Sequence, residues 1–208
     1  EGADSAEKVK SLCGKAIHPI ARAISEKISS VAAVCVYPTM VKTAKKALKK
    51  SSVKVATVAT GFPSGQYPLE VRLEDLEKSL NAGADEVDMV ISRGLFLAGK
   101  YKRLEEEIKS VRALTGPKPL KVILETGELE TYDNIRLAAD LIISAAQPAQ
   151  DGDLFLKTST GKVNPAATPA STLLLMEAAR DCWVTNGIRI GIKPAGGLKT
   201  AKETLAYL

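Results

Sequence analysis

Residues 120–159 read LKVILETGELETYDNIRLAADLIISAAQPAQDGDLFLKTS, and this stretch indicates the fold. Residues 120–125 and 153–159 are short apolar runs typical of buried strands, and residues 130–146 between them carry apolar residues at helical spacing. A strand, a helix and a second strand in this order predict two parallel strands joined by a right-handed crossover.

The same alternation extends over the rest of the chain. Segments with helical spacing and charged faces separate the strand-like runs, and Thr168-Pro169 is a typical helix start, an N-cap followed by proline. The predicted strands are residues 31–37, 53–58, 85–91, 120–125, 153–159 and 188–193, and the predicted helices are residues 39–50, 68–82, 100–114, 130–146 and 168–185.

This alternation predicts an α/β fold with a parallel sheet, and we expect a TIM (β/α)8 barrel that forms one domain over residues 1–208. A doubly wound open sheet gives a similar alternation, but it normally has a glycine-rich phosphate fingerprint after its first strand, and residues 31–40 (VAAVCVYPTM) have none. Six predicted strands fall short of the eight in a closed barrel, so we expect the first and last strands to be missing from this sequence.

Composition narrows the class of function. Twenty-nine Lys and Arg residues against 24 Asp and Glu residues give a net charge of +5, which suits a phosphate-bearing small substrate. The positive charges are scattered and aromatic residues make up 4% of the chain, which argues against a nucleic-acid interface. No apolar run approaches the ~18 residues of a membrane span and no signal peptide opens the chain, so we expect a cytoplasmic protein without membrane contact.

Cysteine and histidine residues give no sign of a metal site or a disulfide framework. Cys13, Cys35 and Cys182 are widely spaced and form no CxxC pair. His18 is the only histidine, so it cannot form a histidine-based metal site or a nucleophile–histidine pair by itself. We expect it to have a structural role near a helix end.

Two lysines lie where an α/β barrel carries its catalytic groups, at the carboxyl ends of strands. Lys157 directly follows the apolar residues 154–156, and Lys193 ends the sixth run, which we place two strands away at the same end of the sheet. An imine-forming lysine must be partly neutral near pH 7, which requires a pKa about 3 units below ~10.4. Burial and a second cation both favour the neutral amine. The alternative for any single strand-end lysine is an exposed surface amine.

Asp88 is a carboxylate inside the otherwise apolar run 85–91. Buried acids usually have a partner or a function, and ion pairing with Lys121, ion pairing with Lys157 and proton relay all remain open. Gly161 and the Gly196-Gly197 pair could bring backbone N–H groups close to a phosphate, although paired glycines are also common in turns. Thr160-Gly161-Lys162 is similar to the end of a P-loop, but the leading glycine of that motif is absent.

Six motifs in collinear order resemble the deoxyribose-phosphate aldolase family of class I aldolases. The segments GFPSGQ and ISRG are closer to the eukaryotic branch of that family. The motifs are AAVCVYP (32–38), ATVATGFPSGQ (56–66), ADEVDMV (84–90), KVILETGEL (121–129), KTSTGKV (157–163) and KPAGG (193–197).

The resemblance implies reversible cleavage of 2-deoxy-D-ribose 5-phosphate to acetaldehyde and D-glyceraldehyde 3-phosphate. It implies that Lys157 forms the imine, that Lys193 beside it favours the neutral amine, and that Asp88 transfers protons with an ordered water. The imine is the electron sink for carbon–carbon cleavage, so neither a metal nor an organic cofactor is expected. Members of this family are often dimers, and a homodimer is the corresponding expectation here.

The resemblance also implies a set of substrate-binding residues around this catalytic trio. Cys35 matches a cysteine that lines the pocket, and Lys121 matches a strand lysine near the active-site carboxylate. The glycines match positions whose backbone holds the substrate phosphate. The implied substrate-binding residues are Cys35, Lys121, Thr160, Gly161, Lys162, Gly196 and Gly197.

Two other functions are weighed against this one. A catalytically inactive aldolase-like barrel that serves as a protein-binding scaffold would have the same fold, because barrel folds host many functions. Retention of Asp88, Lys157 and Lys193 argues against it, since these residues would be the first to change in a scaffold. A different imine-forming barrel aldolase is disfavoured by the combination of KTSTGK and KPAGG.

Overall fold

A computed structural model describes residues 3–20 and 29–208 of the chain. Residues 1, 2 and 21–28 of the predicted single domain lie outside the described residues.

The described part of the chain contains a six-stranded parallel sheet. Every strand overlaps a predicted run, so the prediction of six parallel strands is confirmed. The strands are β1 (Ala33–Val36), β2 (Lys54–Ala59), β3 (Glu86–Val90), β4 (Leu120–Ile123), β5 (Leu154–Lys157) and β6 (Gly191–Lys193).

The strand order distinguishes a barrel from a doubly wound sheet. Each strand pairs with the next one in sequence, from β1 through to β6. A doubly wound sheet instead reverses its strand order at a switch point. The sheet also curls: Asp88 on β3 contacts Lys193 on β6, three strands away, although neighbouring strands lie about 4.8 Å apart. The predicted barrel-type α/β fold is confirmed.

Five helices occupy the segments that helical spacing indicated. The helix predicted at residues 39–50 is shorter than expected, because Pro38–Met40 form a 3-10 turn before α2 begins. The helices that match the predictions are α2 (Val41–Ala47), α3 (Leu69–Asn81), α5 (Tyr101–Thr115), α6 (Tyr132–Ala146) and α7 (Pro169–Asn186).

Three further helices in the described residues were not predicted. Two of them, α4 (Arg93–Leu97) and α8 (Ala201–Leu205), are too short for helical periodicity to be visible. The third, α1 (Ala6–Ile17), buries Val9, Cys13 and Ala16 on one face. That spacing was readable in the sequence. His18 is the C-cap of α1 and its N–H donates to the Gly14 carbonyl, so its predicted position at a helix end is confirmed.

Local sequence explains the start of α7. Thr168 accepts a hydrogen bond from the Ser171 N–H, and the Ser171 hydroxyl accepts one from the Thr168 N–H. This capping box satisfies two backbone groups that a helix start would otherwise leave unpaired. The predicted N-cap is therefore confirmed.

A buried ion pair joins two helices to the sheet. Arg72 on α3 is 2% exposed, and its guanidinium pairs with Glu107 on α5. The same guanidinium donates to the carbonyls of Thr60 and Val90, which follow β2 and end β3. These bonds fix the carboxyl ends of two adjacent strands, the end of the sheet at which Lys157 and Lys193 also lie.

None of the helices within residues 3–20 and 29–208 is both long and apolar enough to cross a membrane.

Candidate active site

Asp88 is the centre of a cluster that lies inside the curled sheet. The Nζ atoms of Lys157 and Lys193 both lie 2.7 Å from the same oxygen, Asp88 Oδ2. The two nitrogens are therefore within twice that distance of each other. Lys157 and Lys193 are direct partners in the β5–β6 register, so the expectation that Lys193 lies two strands away is wrong. Adjacent strands bring the pair closer together than that expectation implied.

Register sets the two levels of this cluster. Asp88 pairs with Lys121 across β3 and β4, whereas Lys157 pairs with Ile123, two residues nearer the carboxyl end of β4. Residues two apart on a strand point to the same face. Lys121 therefore lies one level below Lys157, and the carboxylate of Asp88 lies between them.

Three ammonium groups surround the buried carboxylate. Burial by itself raises the pKa of Asp88, but the charges of Lys157, Lys193 and Lys121 outweigh it and lower the pKa to about 2. For Lys193, burial lowers the pKa, and the Asp88 charge more than offsets this effect, so its pKa is raised. Asp88 is thus an anion and Lys193 a cation at neutral pH.

The sequence left open whether Asp88 pairs with Lys121 or with Lys157, and in the structure it pairs with both. Lys157 contacts Oδ2, and Lys121 lies 3.4 Å from Oδ1 while forming a closer ion pair with Glu86. The Lys121 ammonium also lies 5.6 Å from the ring centroid of Phe155. Within the described residues Oδ1 is buried and accepts no hydrogen bond. Asp88 Oδ2 is thus shared by two lysines, and Asp88 Oδ1 can still accept a hydrogen bond.

A cavity of about 250 Å³ opens above Lys157 and Lys193, the two upper lysines of the cluster. Cys35 on β1 faces it, with its Sγ atom 3.9 Å from Asp88 Oδ2. Although part of the Cys35 surface is exposed, desolvation and then the negative charge of Asp88 raise the pKa of its thiol. The lining residues are Asp4, Cys35, Val36, Tyr37, Val58, Phe62, Lys157, Thr160 and Lys193.

Two aromatic residues of this lining, Tyr37 and Phe62, were missed by the sequence analysis. The rings of Tyr37 and Phe62 pack edge to face with centroids 5.7 Å apart, and they form one wall of the cavity. Tyr37 directly follows β1 and Phe62 lies three residues after β2, both at the end of the barrel where functional residues collect. Their position after predicted strands could have identified them as candidate site residues.

The predicted phosphate-binding residues lie on two adjacent loops, after β5 and after β6. Hydrogen bonds tie these loops together, because the hydroxyls of Thr158 and Ser159 both donate to the Ala195 carbonyl. Gly161 and Gly196 have φ values of 77° and 85°. A Cβ atom on Gly196 would lie 2.9 Å from the Gly161 Cα atom, so this close approach requires glycine.

The third predicted phosphate-binding glycine and two other predicted substrate-binding residues share these loops. Gly197 has a φ of 82° and is exposed, as is Lys162. Thr160 lines the cavity beside Lys157. The five residues thus lie on the loops that follow Lys157 and Lys193, and of these five it is Thr160 that lines the cavity.

A second cleft, of about 1060 Å³, lies outside the barrel between the loop at residues 64–69 and the helices α4 and α5. It is larger than the lysine cavity but contains neither Lys157 nor Lys193. The Arg72–Glu107 ion pair forms its floor.

Comparison with known proteins agrees with this geometry. Residues 1–207 match the family model of the DeoC/LacD family aldolases. The chain is 42% identical to the mouse protein named deoxyribose-phosphate aldolase and 41% identical to its human counterpart, in each case covering 100% of this chain. The chain spans 66% of the length of each of these relatives.

Solved structures give the same result for the fold. A protein from Coccidioides immitis, provisionally assigned as a deoxyribose-phosphate aldolase, superposes with a TM-score of 0.84 at 26% identity. That comparison covers 100% of this chain and 73% of the other. On its sequence, its strand order and the shape of its fold, the chain belongs to the DeoC/LacD family of aldolases.

Proposed function

We propose that this protein is a class I aldolase that reversibly cleaves 2-deoxy-D-ribose 5-phosphate to acetaldehyde and D-glyceraldehyde 3-phosphate. The observation that carries the proposal is the sharing of Asp88 Oδ2 by Lys157 and Lys193 beside a cavity. The names of the mouse and human relatives support the choice of substrate.

Imine formation is the first step. The neutral Lys157 amine attacks C1 of the open-chain sugar, and loss of water from the carbinolamine leaves a protonated imine. Lys157 must give up a proton beforehand, which takes one cation away from Asp88. Lys193 lies equally close to Asp88 Oδ2 and remains as its counterion, so the carboxylate stays paired.

Carbon–carbon cleavage follows. The C3 hydroxyl loses its proton, the C2–C3 bond breaks, and its electrons neutralise the iminium to give an enamine. Asp88 accepts the proton through an ordered water. Its pKa of about 2 in the free enzyme reflects three neighbouring cations. Because the iminium charge disappears in this step, the carboxylate becomes more basic as the proton leaves the substrate.

Product release completes the cycle. D-glyceraldehyde 3-phosphate departs with C3 as its aldehyde carbon, and the enamine is then protonated at C2. Water adds to the resulting imine and releases acetaldehyde, which restores the Lys157 amine. The substrate phosphate is bound by backbone N–H groups of Gly161, Gly196 and Gly197, with Thr160 and Lys162 beside them, because turns of positive-φ glycines form anion-binding concavities.

The remaining parts of the proposal follow from the chemistry and the resemblance. The protonated imine accepts the electron pair of the broken C2–C3 bond, so the reaction as written requires neither a metal nor an organic cofactor. We place the enzyme in the cytoplasm and expect a homodimer, and light scattering of the full-length protein tests the assembly.

Borohydride trapping tests the function directly. The full-length protein is incubated with acetaldehyde or 2-deoxyribose 5-phosphate, reduced, digested and analysed by peptide mass spectrometry. A reduced adduct on Lys157 is the expected result. If the folded protein gives no adduct, the aldolase proposal fails and a non-catalytic scaffold becomes the better explanation.

A further inference from the structure

Glu125 is a buried carboxylate in an unusual backbone conformation. It lies two residues after the end of β4 with a φ of 57°, and its side chain has no exposed surface. Residues with a side chain rarely adopt this left-handed region, and a buried carboxylate is costly unless it accepts hydrogen bonds. Both costs indicate that a specific interaction holds Glu125 in place.

That interaction is with Thr160, on the loop after the neighbouring strand β5. The Thr160 N–H donates to Glu125 Oε1 over 3.2 Å, and the Thr160 hydroxyl donates to Oε2. Hydrogen bonds to a charged acceptor are stronger than those between neutral groups. Glu125 therefore fixes both the backbone and the side-chain rotamer of Thr160, three residues after Lys157.

Thr160 in turn restrains the backbone of the next two residues. A hydroxyl has a single proton, and donating it to Glu125 leaves the oxygen lone pairs of Thr160 free to accept. The Lys162 N–H donates to this oxygen over 3.1 Å. Gly161 lies between the two residues in the left-handed conformation and packs against Gly196. The conformation of residues 160–162 thus depends on Glu125.

We propose that Glu125 is a positioning residue that acts through Thr160 to hold residues 160–162 in the conformation that binds the substrate phosphate. The inference rests on the proposed function and adds a residue to it. A carboxylate would repel a phosphate that it faced directly. Glu125 avoids this because it is buried and its oxygens are directed at Thr160, so it shapes the loop without contacting the ligand.

The test compares a phosphorylated and an unphosphorylated substrate. Glu125→Ala should raise the KM for 2-deoxyribose 5-phosphate about tenfold or more, the loss expected when a charge-assisted hydrogen bond is removed. The KM for 2-deoxyribose should change by less than about twofold, since that substrate has no phosphate to position. Borohydride trapping of acetaldehyde on Lys157 should match the wild type.

Two further variants locate the effect. Glu128→Ala is the matched control, because Glu128 lies on the same loop but pairs with Arg93 on α4. It should leave both KM values unchanged. Thr160→Val removes the hydroxyl and keeps the N–H. If Glu125 acts through Thr160, the Glu125→Ala/Thr160→Val double variant should be no worse than the poorer single variant.

The outcomes separate this inference from the proposed function. No trapped adduct in the wild type refutes the aldolase itself. Wild-type trapping combined with equal losses for both sugars, or with no loss in Glu125→Ala, overturns the role of Glu125 alone. If Glu125→Ala does not fold, Glu125→Gln supplies the same comparison, because its amide oxygen still accepts from the Thr160 N–H but the charge is lost.

Discussion

The Nζ atom of Lys157 on β5 lies 2.7 Å from Oδ2 of Asp88 on β3. These residues are 69 positions apart in sequence and two strands apart in the sheet. The contact places the proposed nucleophile in direct reach of the proposed proton acceptor. It also makes each group's charge depend on the other, which several measurements can test.

Asp88→Asn should lower kcat about 10²- to 10⁴-fold, the usual contribution of a positioned general base, with a smaller effect on KM. The change replaces the only carboxylate that the two upper lysines share in the described structure. Steady-state kinetics with 2-deoxyribose 5-phosphate provide the measurement. Asp85→Asn is the control, because Asp85 pairs with Lys45 away from the cavity. Near-wild-type turnover in Asp88→Asn would remove Asp88 from the mechanism.

Lys193→Leu should slow imine formation at neutral pH, and raising the pH should restore part of the rate. The Lys193 ammonium lies beside Lys157, and like charges disfavour each other, so its loss leaves less of the nucleophilic neutral amine. The rate of trapping with acetaldehyde, measured from pH 6 to pH 9, checks this. Lys202→Leu, at an exposed position on α8, should behave as the wild type. A pH-independent defect would contradict the electrostatic role.

The stability of the fold should fall in acid as Asp88 is protonated. The pKa of Asp88 is about 2 in the folded state against 3.8 for an ordinary aspartate, a depressed value. A depressed pKa contributes stability that is fully present above the unfolded value and is lost as the pH falls through the folded value. The contribution is on the order of 2 kcal/mol and disappears between about pH 4 and pH 2.

Urea unfolding at a series of pH values measures this loss. The difference in unfolding free energy between the wild type and Asp88→Asn should shrink across that window, because the variant has no carboxylate to protonate. A difference that stays constant from pH 6 to pH 2 would show that the depressed pKa does not contribute to stability.

Arg72→Met should destabilise the protein by about 3–5 kcal/mol, because it leaves the buried Glu107 carboxylate without its cation. It also removes the donors to the Thr60 and Val90 carbonyls. The midpoint of urea unfolding at pH 7 is the measurement. The control is Lys78→Met on the same helix, whose pair with Glu74 is exposed to solvent and should contribute far less to stability than the buried pair. Equal effects of the two changes would refute the importance of the buried pair.

Gly191→Ala should cost about 1–3 kcal/mol of stability, the usual penalty for overpacking. A Cβ atom at Gly191 would lie 2.1 Å from two atoms of the Phe155 ring, so the ring must move away from the Lys121 ammonium that it faces. Gly14→Ala is the reference, since Gly14 is inside α1 with nothing within 4 Å of the added atom. That change should stabilise the protein by about 0.5–1 kcal/mol. Thermal unfolding of both variants gives the comparison.

Much of the fold was predictable because it is encoded locally. Strands such as β4 and helices such as α6 follow from apolar runs and helical spacing within a few residues of each other. The parallel direction follows from the crossover helices between strands. The two short helices α4 and α8 escaped because five residues contain little more than one helical turn.

The sequence by itself determined the six strands, five of the helices and their order, and that lysines end the fifth and sixth strands. Only the tertiary structure decided that Lys157 and Lys193 share one oxygen of Asp88, that Arg72 is buried, and that Glu125 binds Thr160. Each of these contacts joins residues on different elements. Their geometry depends on the curl of the sheet and on the register between strands, and no pattern within a single strand or helix carries that information.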